Sequence, residues 1–134
     1  MTAPHRTPKA HNLTDADVQA ARRPIVSLIG KSEKAQRKLD PATWQYRMLQ
    51  DNLRALRLAE ALLDGRTDAA AGSSPDDFQA ALRALAAMAA KTEPALKKFA
   101  PGTSQHTLSR NRLQALRTAT GLVEAELAKN KDRP

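Results

Sequence analysis

The residues best suited to chemistry in this sequence are cations, and they surround two prolines, Pro41 and Pro101. Residues 31–57 contain seven Lys and Arg against three Asp and Glu, and residues 91–117 contain six against one. The two stretches therefore hold a net charge of +9, while the whole chain has a net charge of +8 and a pI near 10.3. Ammonium and guanidinium groups concentrate polyanions near them and bind phosphate oxygens. The candidates for such contacts are Lys31, Lys34, Arg37, Lys38, Arg57, Lys91, Lys97, Lys98, Arg110, Arg112 and Arg117.

Three of these arginines have other potential partners. Arg57 and Arg117 fall just beside the apolar stripe of their predicted helices, as do Glu33 and Glu93 on the preceding helices. An ion pair between helices is the simpler expectation for both arginines, and phosphate binding is the alternative. Arg112 falls where an apolar side chain is expected, so it should either pair with one of these glutamates or line a wet cleft.

Polar side chains also fall on the core-facing side of the predicted helices, near the two prolines. This polar core-face cluster consists of Gln45, Asn52, Gln105 and His106. Such a cluster can line a ligand cleft, but polar groups near helix ends are more often solvated and hydrogen-bonded to one another. The solvated arrangement is the simpler expectation.

No residue pattern of a catalytic or metal site stands out. The sequence has no cysteine, and His5, His11 and His106 are too far apart in sequence for a metal motif. It lacks the Glu-x-x-His spacing of di-metal sites in helical bundles, and it has no Gly-rich phosphate loop. We therefore expect no enzymatic activity, no metal and no cofactor.

The sequence repeats itself at an offset of 60 positions. Without a gap, residues 17–23 (DVQAARR) align with residues 77–83 (DFQAALR), and residues 53–57 (LRALR) align with residues 113–117 (LQALR). Further identities between the two copies are spread over the first copy from Asp17 to Leu62. A repeated supersecondary unit cannot bury its apolar face alone and needs its twin. We interpret the chain as a tandem duplication of one helical hairpin of about 60 residues.

Each copy carries the signals of two helices joined by a turn. Thr14 and Ser74, each followed three residues later by Asp, predict the helix starts. Apolar residues then recur in phase at helical spacing: Val18, Ala21, Ile25, Leu28, Ile29, Ala35 and Leu39 in the first copy, and Phe78, Ala81, Leu85, Met88, Ala89, Ala95 and Phe99 in the second. This core stripe predicts one long first helix per copy, although Pro24, Gly30 and Pro94 could each kink the helix or split off its last two turns. The proline near the centre of each copy predicts the turn, and a second apolar stripe predicts the second helix.

The predicted fold is an all-α, antiparallel, up-down-up-down four-helix bundle that forms a single domain over residues 14–128. Both turns would lie at the same end of such a bundle, so the positive charge would gather there. The expected boundaries are a flexible N-terminal segment (1–13), a first repeat (14–64), a linker (65–73), a second repeat (74–128) and a frayed C-terminal tail (129–134).

The segment at residues 106–117 (HTLSRNRLQALR) resembles the His- and Arg-bearing helices of the CHAD family, which are duplicated helical bundles associated with polyphosphate. In that family the first Arg follows the His by three residues, whereas Arg110 follows His106 by four. Tyr46 stands in place of the His in the first copy. The likeness is confined to this segment and does not assign the chain to the family.

The pattern of charge leads to a hypothesis about function. The leading interpretation is a non-enzymatic binding module whose basic turns contact a polyanion, either nucleic-acid backbone or polyphosphate. Aromatic residues make up only 3% of the chain, and two of the four lie on the predicted core stripe, which disfavours sequence-specific binding of single-stranded RNA. The alternative is a protein-interaction adaptor or a small structural bundle, which could dimerise through an apolar strip such as Leu58, Ala61 and Leu62.

The expected location is cytoplasmic and not membrane-bound. The longest apolar run, residues 84–90, is too short to span a bilayer. The segment 1–13 carries charge but no hydrophobic stretch of the kind found in signal peptides.

Overall fold

The computed structural model describes residues 13–66 and 72–131, and these residues form four helices and no strand. Helix α1 spans Asp15–Arg37, α2 spans Trp44–Leu63, α3 spans Pro75–Lys98 and α4 spans Ser104–Lys131. The predicted all-α fold with four helices is confirmed. Most of the predicted N-terminal segment, the centre of the predicted linker (67–71) and the end of the predicted tail (132–134) lie outside the described residues.

Two capping boxes begin the helices α1 and α3. The hydroxyls of Thr14 and Ser74 accept hydrogen bonds of 3.1 Å from the backbone N–H groups of Asp17 and Asp77. In return, the two carboxylates accept from the backbone N–H groups of the capping residues, at 3.0 Å and 2.8 Å. Each box satisfies two N–H groups that have no partner within the helix. These are the two helix starts that the sequence predicts.

The first helix of each copy is continuous despite its internal proline. α1 passes through Pro24 and α3 passes through Pro94. A proline inside a helix removes one backbone hydrogen bond and crowds the preceding turn, so packing of the apolar face must offset that cost. The prediction of one long helix per copy is confirmed.

Contacts between α1 and α2 run along both helices. Arg22 forms an ion pair with Asp64, just after the end of α2. Near the other end of α1, the amide of Gln36 donates a hydrogen bond of 2.6 Å to Gln50. The residue nearer the end of α1 therefore contacts the residue nearer the start of α2. α3 and α4 pack on each other, α1 also packs on α4, and α2 packs on both α3 and α4.

The buried core occupies only part of each helix. We call residues 28–52 and 88–112, which surround the two turns, the tip segments. Their single buried side chain is that of Ser109, and apolar residues such as Ile29 and Met88 are half-buried there. The largest fully buried side chains all lie outside the tip segments: Phe78, Ile25, Leu53, Leu56, Leu85, Leu116 and Val123.

The apolar stripe predicted along α1 and α3 is therefore buried over its first half only. Ile25 and Leu85 are fully buried, whereas Ala35 is exposed and Phe99 is 37% exposed. The expectation that Ala35 and Phe99 lie in the core is wrong, because near the turns each helix has solvent beyond its end and no further layer to pack against.

The apolar strip that sequence analysis considered as a dimer contact is largely covered by the chain itself. Ala61 is 5% exposed, Leu62 is 8% exposed and Leu58 is half-buried. The idea of a free strip is wrong because α2 packs against α1, α3 and α4 at once, so little of its apolar surface is left over.

Candidate functional site

Two similar turns hold the start of α2 and of α4. Thr43 and Thr103 each accept a hydrogen bond of 3.2 Å from the backbone N–H three residues later. Each hydroxyl also donates a bond of 2.7 Å to the carbonyl three residues earlier. The turns differ in their middle, where Ala42 donates its N–H to the carboxylate of Asp40 at 2.8 Å, while Gly102 adopts a φ of 91° that favours glycine. Both helices therefore begin at fixed positions beside the basic residues.

Most of the predicted cations are exposed and form no salt bridge within the part of the chain that the structure describes. These eight are Lys31, Lys34, Arg37, Lys38, Lys91, Lys97, Lys98 and Arg110. Arg47 and Arg54, which are not among the predicted cations, share both properties. A cation without a protein carboxylate keeps its donors available to an external anion.

Two other predicted cations are held by carboxylates of the chain. Arg57 donates a hydrogen bond of 2.6 Å to Glu33, and Arg117 donates one of 3.3 Å to Glu93. Both pairs join the second helix of a copy to its first helix, and they occupy equivalent positions in the two copies. These are the inter-helix ion pairs that sequence analysis gave as the simpler expectation.

Arg112 takes neither of the carboxylates considered for it. It is half-buried and forms no salt bridge within the described residues, and its Nε is buried without a hydrogen-bond partner. Glu33 and Glu93 pair instead with Arg57 and Arg117. Asn52, at the equivalent position of the first copy, is also half-buried.

The predicted polar core-face cluster does not form as one group. Gln45 and Gln105 are exposed, so their assignment to the core face is wrong. Both lie in the first turn of their helix, where no neighbouring helix covers them. His106 and Asn52 are half-buried at the edge of the core.

A polar contact that the sequence did not reveal lies between α1 and α2. The Gln36 amide donates to the Gln50 side chain at 2.6 Å and to the carbonyl of Tyr46 at 3.4 Å. Only the pairing of the two helices brings these glutamines together, so spacing along the chain gives no signal for the contact.

The first turns of the four helices add to the uneven distribution of charge along the chain. The first turns of α1 and α3 each contain two acidic residues, whereas those of α2 and α4, which follow the basic turns, contain none. A helix N-terminus carries a partial positive charge that acidic residues normally balance. The partial positive charges beside the two turns are therefore not balanced in this way.

The tip segments meet at the seam between α2 and α3. The Nζ of Lys91, on α3, lies 3.6 Å from the Sδ of Met48, on α2. Trp44 lies one helical turn before Met48 on the same face of α2 and is 68% exposed. Leu108 is 48% exposed in the second tip segment. These exposed apolar side chains have no role in the predictions made from the sequence. For Trp44, the sequence did contain a sign of this exposure: it directly follows the cap residue Thr43 and does not belong to the apolar stripe of α2.

An open groove lies further along the same seam. Its volume is about 480 Å³, and small apolar side chains such as Ala55, Ala80 and Ala81 lie along it. Arg54 and Asp77 also line the groove. Within the described residues no group of three His, Asp or Glu side chains is placed to hold a metal ion.

The chain matches no protein-family model, no curated protein and no solved structure. None of the four helices that the structure describes has both the length and the hydropathy needed to cross a membrane.

Proposed function

We propose that this protein is a non-enzymatic binding module that contacts a polyanion through its tip segments. The shared chemistry of the ligand is a chain of phosphates, as in the nucleic-acid backbone or in polyphosphate. Phosphate contacts of this kind need cations on an accessible surface and no catalytic group. A cytoplasmic location is part of the same proposal, because both polyanions occur there.

We also propose that the chain is an antiparallel, up-down-up-down bundle derived from two tandem hairpins. The α1–α2 contacts support this arrangement, since Arg22 contacts Asp64 whereas Gln36 contacts Gln50. The contact of Lys91 with Met48 supports the placement of both turns at one end. The ion pairs and capping boxes that recur at equivalent positions of the two copies support the origin from two copies of one unit.

The observation that carries the proposal is the difference between paired and unpaired cations. Arg57 and Arg117 are neutralised by Glu33 and Glu93, whereas eight exposed cations around the turns have no carboxylate partner among the described residues. Like charges gathered around the same turns repel one another, and a bound polyanion relieves that repulsion and releases its counterions.

Binding measured against salt tests the proposal. The protein would be titrated into fluorescently labelled duplex DNA and, separately, into labelled polyphosphate at several NaCl concentrations. If about six of the cations contact phosphates, the affinity for duplex DNA should fall about 10³-fold between 50 mM and 200 mM salt. Absence of binding to both ligands at low salt would contradict the proposal, and a protein-interaction adaptor would then be the better interpretation.

A further inference from the structure

We propose that Trp44 is a stacking platform for nucleobases, so that the polyanion bound at the tip segments is a single-stranded nucleic acid. This inference rests on the proposed function, because it names the class of ligand for the same surface. Stacking of this kind tolerates different sequences, since every base offers a flat π face. It differs from sequence-specific recognition, which needs polar groups aimed at base edges.

The indole of Trp44 is largely exposed to solvent. Trp44 is 68% exposed, more than any other exposed large apolar side chain among the described residues, whereas the aromatic ring of Phe78 is 1% exposed. An apolar ring left in water forgoes the stabilisation that burial provides, so a complex that covers it is favoured. Position 104, equivalent to Trp44 in the second copy, holds a serine, so folding of the hairpin does not require a tryptophan there.

The indole is attached to a part of the backbone that hydrogen bonds hold in place. Trp44 is the first residue of α2 and directly follows the cap residue Thr43. The backbone N–H of Thr43 donates to the carbonyl of Asp40 at 3.0 Å, and its hydroxyl donates to the same carbonyl at 2.7 Å. A platform whose backbone is already ordered loses less conformational entropy when it binds.

Basic residues lie on both helices near the position of Trp44. Arg47 follows Trp44 by three residues, which places the two side chains on neighbouring positions of the helix surface, and Arg47 is exposed without a salt bridge among the described residues. Met48, one turn after Trp44, contacts Lys91 of α3 at 3.6 Å. Lys98 lies two turns beyond Lys91 on the same face of α3 and is exposed. A base on the indole would therefore leave its flanking phosphates among cations.

An exposed indole beside unpaired cations favours a single-stranded nucleic acid over duplex DNA and over polyphosphate. In a duplex the base faces are stacked on one another, so the indole cannot reach them without unpairing. Polyphosphate satisfies the cations but offers the indole nothing to stack on. Only a single strand brings phosphates and free base faces to the surface together.

Trp44 is the only tryptophan of the chain, so intrinsic fluorescence reports on this position alone. The full-length protein would be titrated at low salt with oligo(dT) and, in parallel, with polyphosphate of matched charge. We expect oligo(dT) to quench the tryptophan emission and polyphosphate to bind without quenching it. Binding of oligo(dT) with no change in emission would overturn the inference, while the proposed function would stand. Failure of both ligands to bind would overturn the proposed function and the inference with it.

Substitutions at the same position separate stacking from folding. Trp44→Ser introduces the residue found at position 104, and Trp44→Phe keeps an aromatic ring. We expect Trp44→Ser to weaken oligo(dT) binding about tenfold and Trp44→Phe to weaken it less, with polyphosphate affinity unchanged in both. Because the ring is exposed, the thermal midpoint of both variants should stay close to that of the unmodified protein. Equal losses for oligo(dT) and polyphosphate, or quenching by anionic vesicles and not by oligo(dT), would contradict a stacking role.

Discussion

The guanidinium of Arg57 lies 2.6 Å from the carboxylate of Glu33, across the two helices of the first hairpin. Arg117 and Glu93 repeat the contact in the second hairpin at 3.3 Å. The repetition separates the basic residues into two kinds. Two arginines join helices of the same hairpin, while the exposed cations around the turns have no such partner in the described part of the chain.

We expect the double variant Arg57→Gln/Arg117→Gln to weaken polyanion binding only modestly, because it removes no unpaired cation but leaves the carboxylates of Glu33 and Glu93 without partners. The four side chains of the two pairs are between 39% and 53% exposed, so each pair should contribute at most about 1 kcal/mol to the free energy of unfolding. Thermal denaturation and anisotropy titrations would measure the two effects.

The complementary variant Glu33→Gln/Glu93→Gln frees the same arginines for phosphate. It should raise the affinity for polyphosphate while lowering the thermal midpoint slightly. If the arginine variant abolished binding and the glutamate variant left it unchanged, the two arginines would be phosphate ligands and the division into two kinds of cation would be wrong.

Because the core covers only part of α2, replacing a leucine with alanine should lower the free energy of unfolding by different amounts along this helix. Leu56 is fully buried, so Leu56→Ala should lower the free energy of unfolding by about 3 kcal/mol. Leu49, two turns earlier on the same apolar stripe, is half-buried in a tip segment, so Leu49→Ala should cost clearly less. Urea denaturation of the two variants makes the comparison, and equal costs would show that the tip segment is as well packed as the rest of the bundle.

The capping box of α3 should contribute measurably to stability. Ser74→Ala removes the acceptor for the backbone N–H of Asp77 and should lower the free energy of unfolding by about 1 kcal/mol. Ser73→Ala is the matched control, because the neighbouring serine does not serve as the helix cap. Similar denaturation midpoints for the two variants would be inconsistent with the cap that the structure contains.

The features that the sequence predicted correctly are those determined by nearby residues. Thr14 and Ser74 cap helices because an acid lies three residues later, and that contact needs no tertiary structure. The continuity of α1 through Pro24 followed from a stripe that stays in phase across the proline. The Arg57–Glu33 pair followed from placing the same stripe on two neighbouring helices.

The features that the sequence missed depend on how far a helix is covered by others. Periodicity places Phe99 on the apolar stripe, but it cannot show that the stripe loses its cover before α3 ends. The same limit explains Gln45, which belongs to an apolar phase but lies in a first turn that no helix covers. Gln36 and Gln50 meet only because their helices pack together. The exposure of Trp44 likewise became evident only from the packed structure.

The most direct test of the central claim compares two charge variants of equal net charge. Lys38→Gln/Lys98→Gln removes two exposed cations at equivalent positions beside the turns, and Arg23→Gln/Arg83→Gln removes two exposed cations at equivalent positions in the first halves of α1 and α3. Within each copy the two sites are separated by about four helical turns of about 5.4 Å each, which is farther than the Debye length of about 8 Å at physiological salt.

Polyphosphate affinity and its salt dependence would be measured for both variants by anisotropy. We predict a loss of affinity and a shallower salt dependence for the lysine variant, with the arginine variant close to the unmodified protein. Equal losses in the two variants would show that net charge alone governs binding, and this result would contradict a polyanion site at the tip segments.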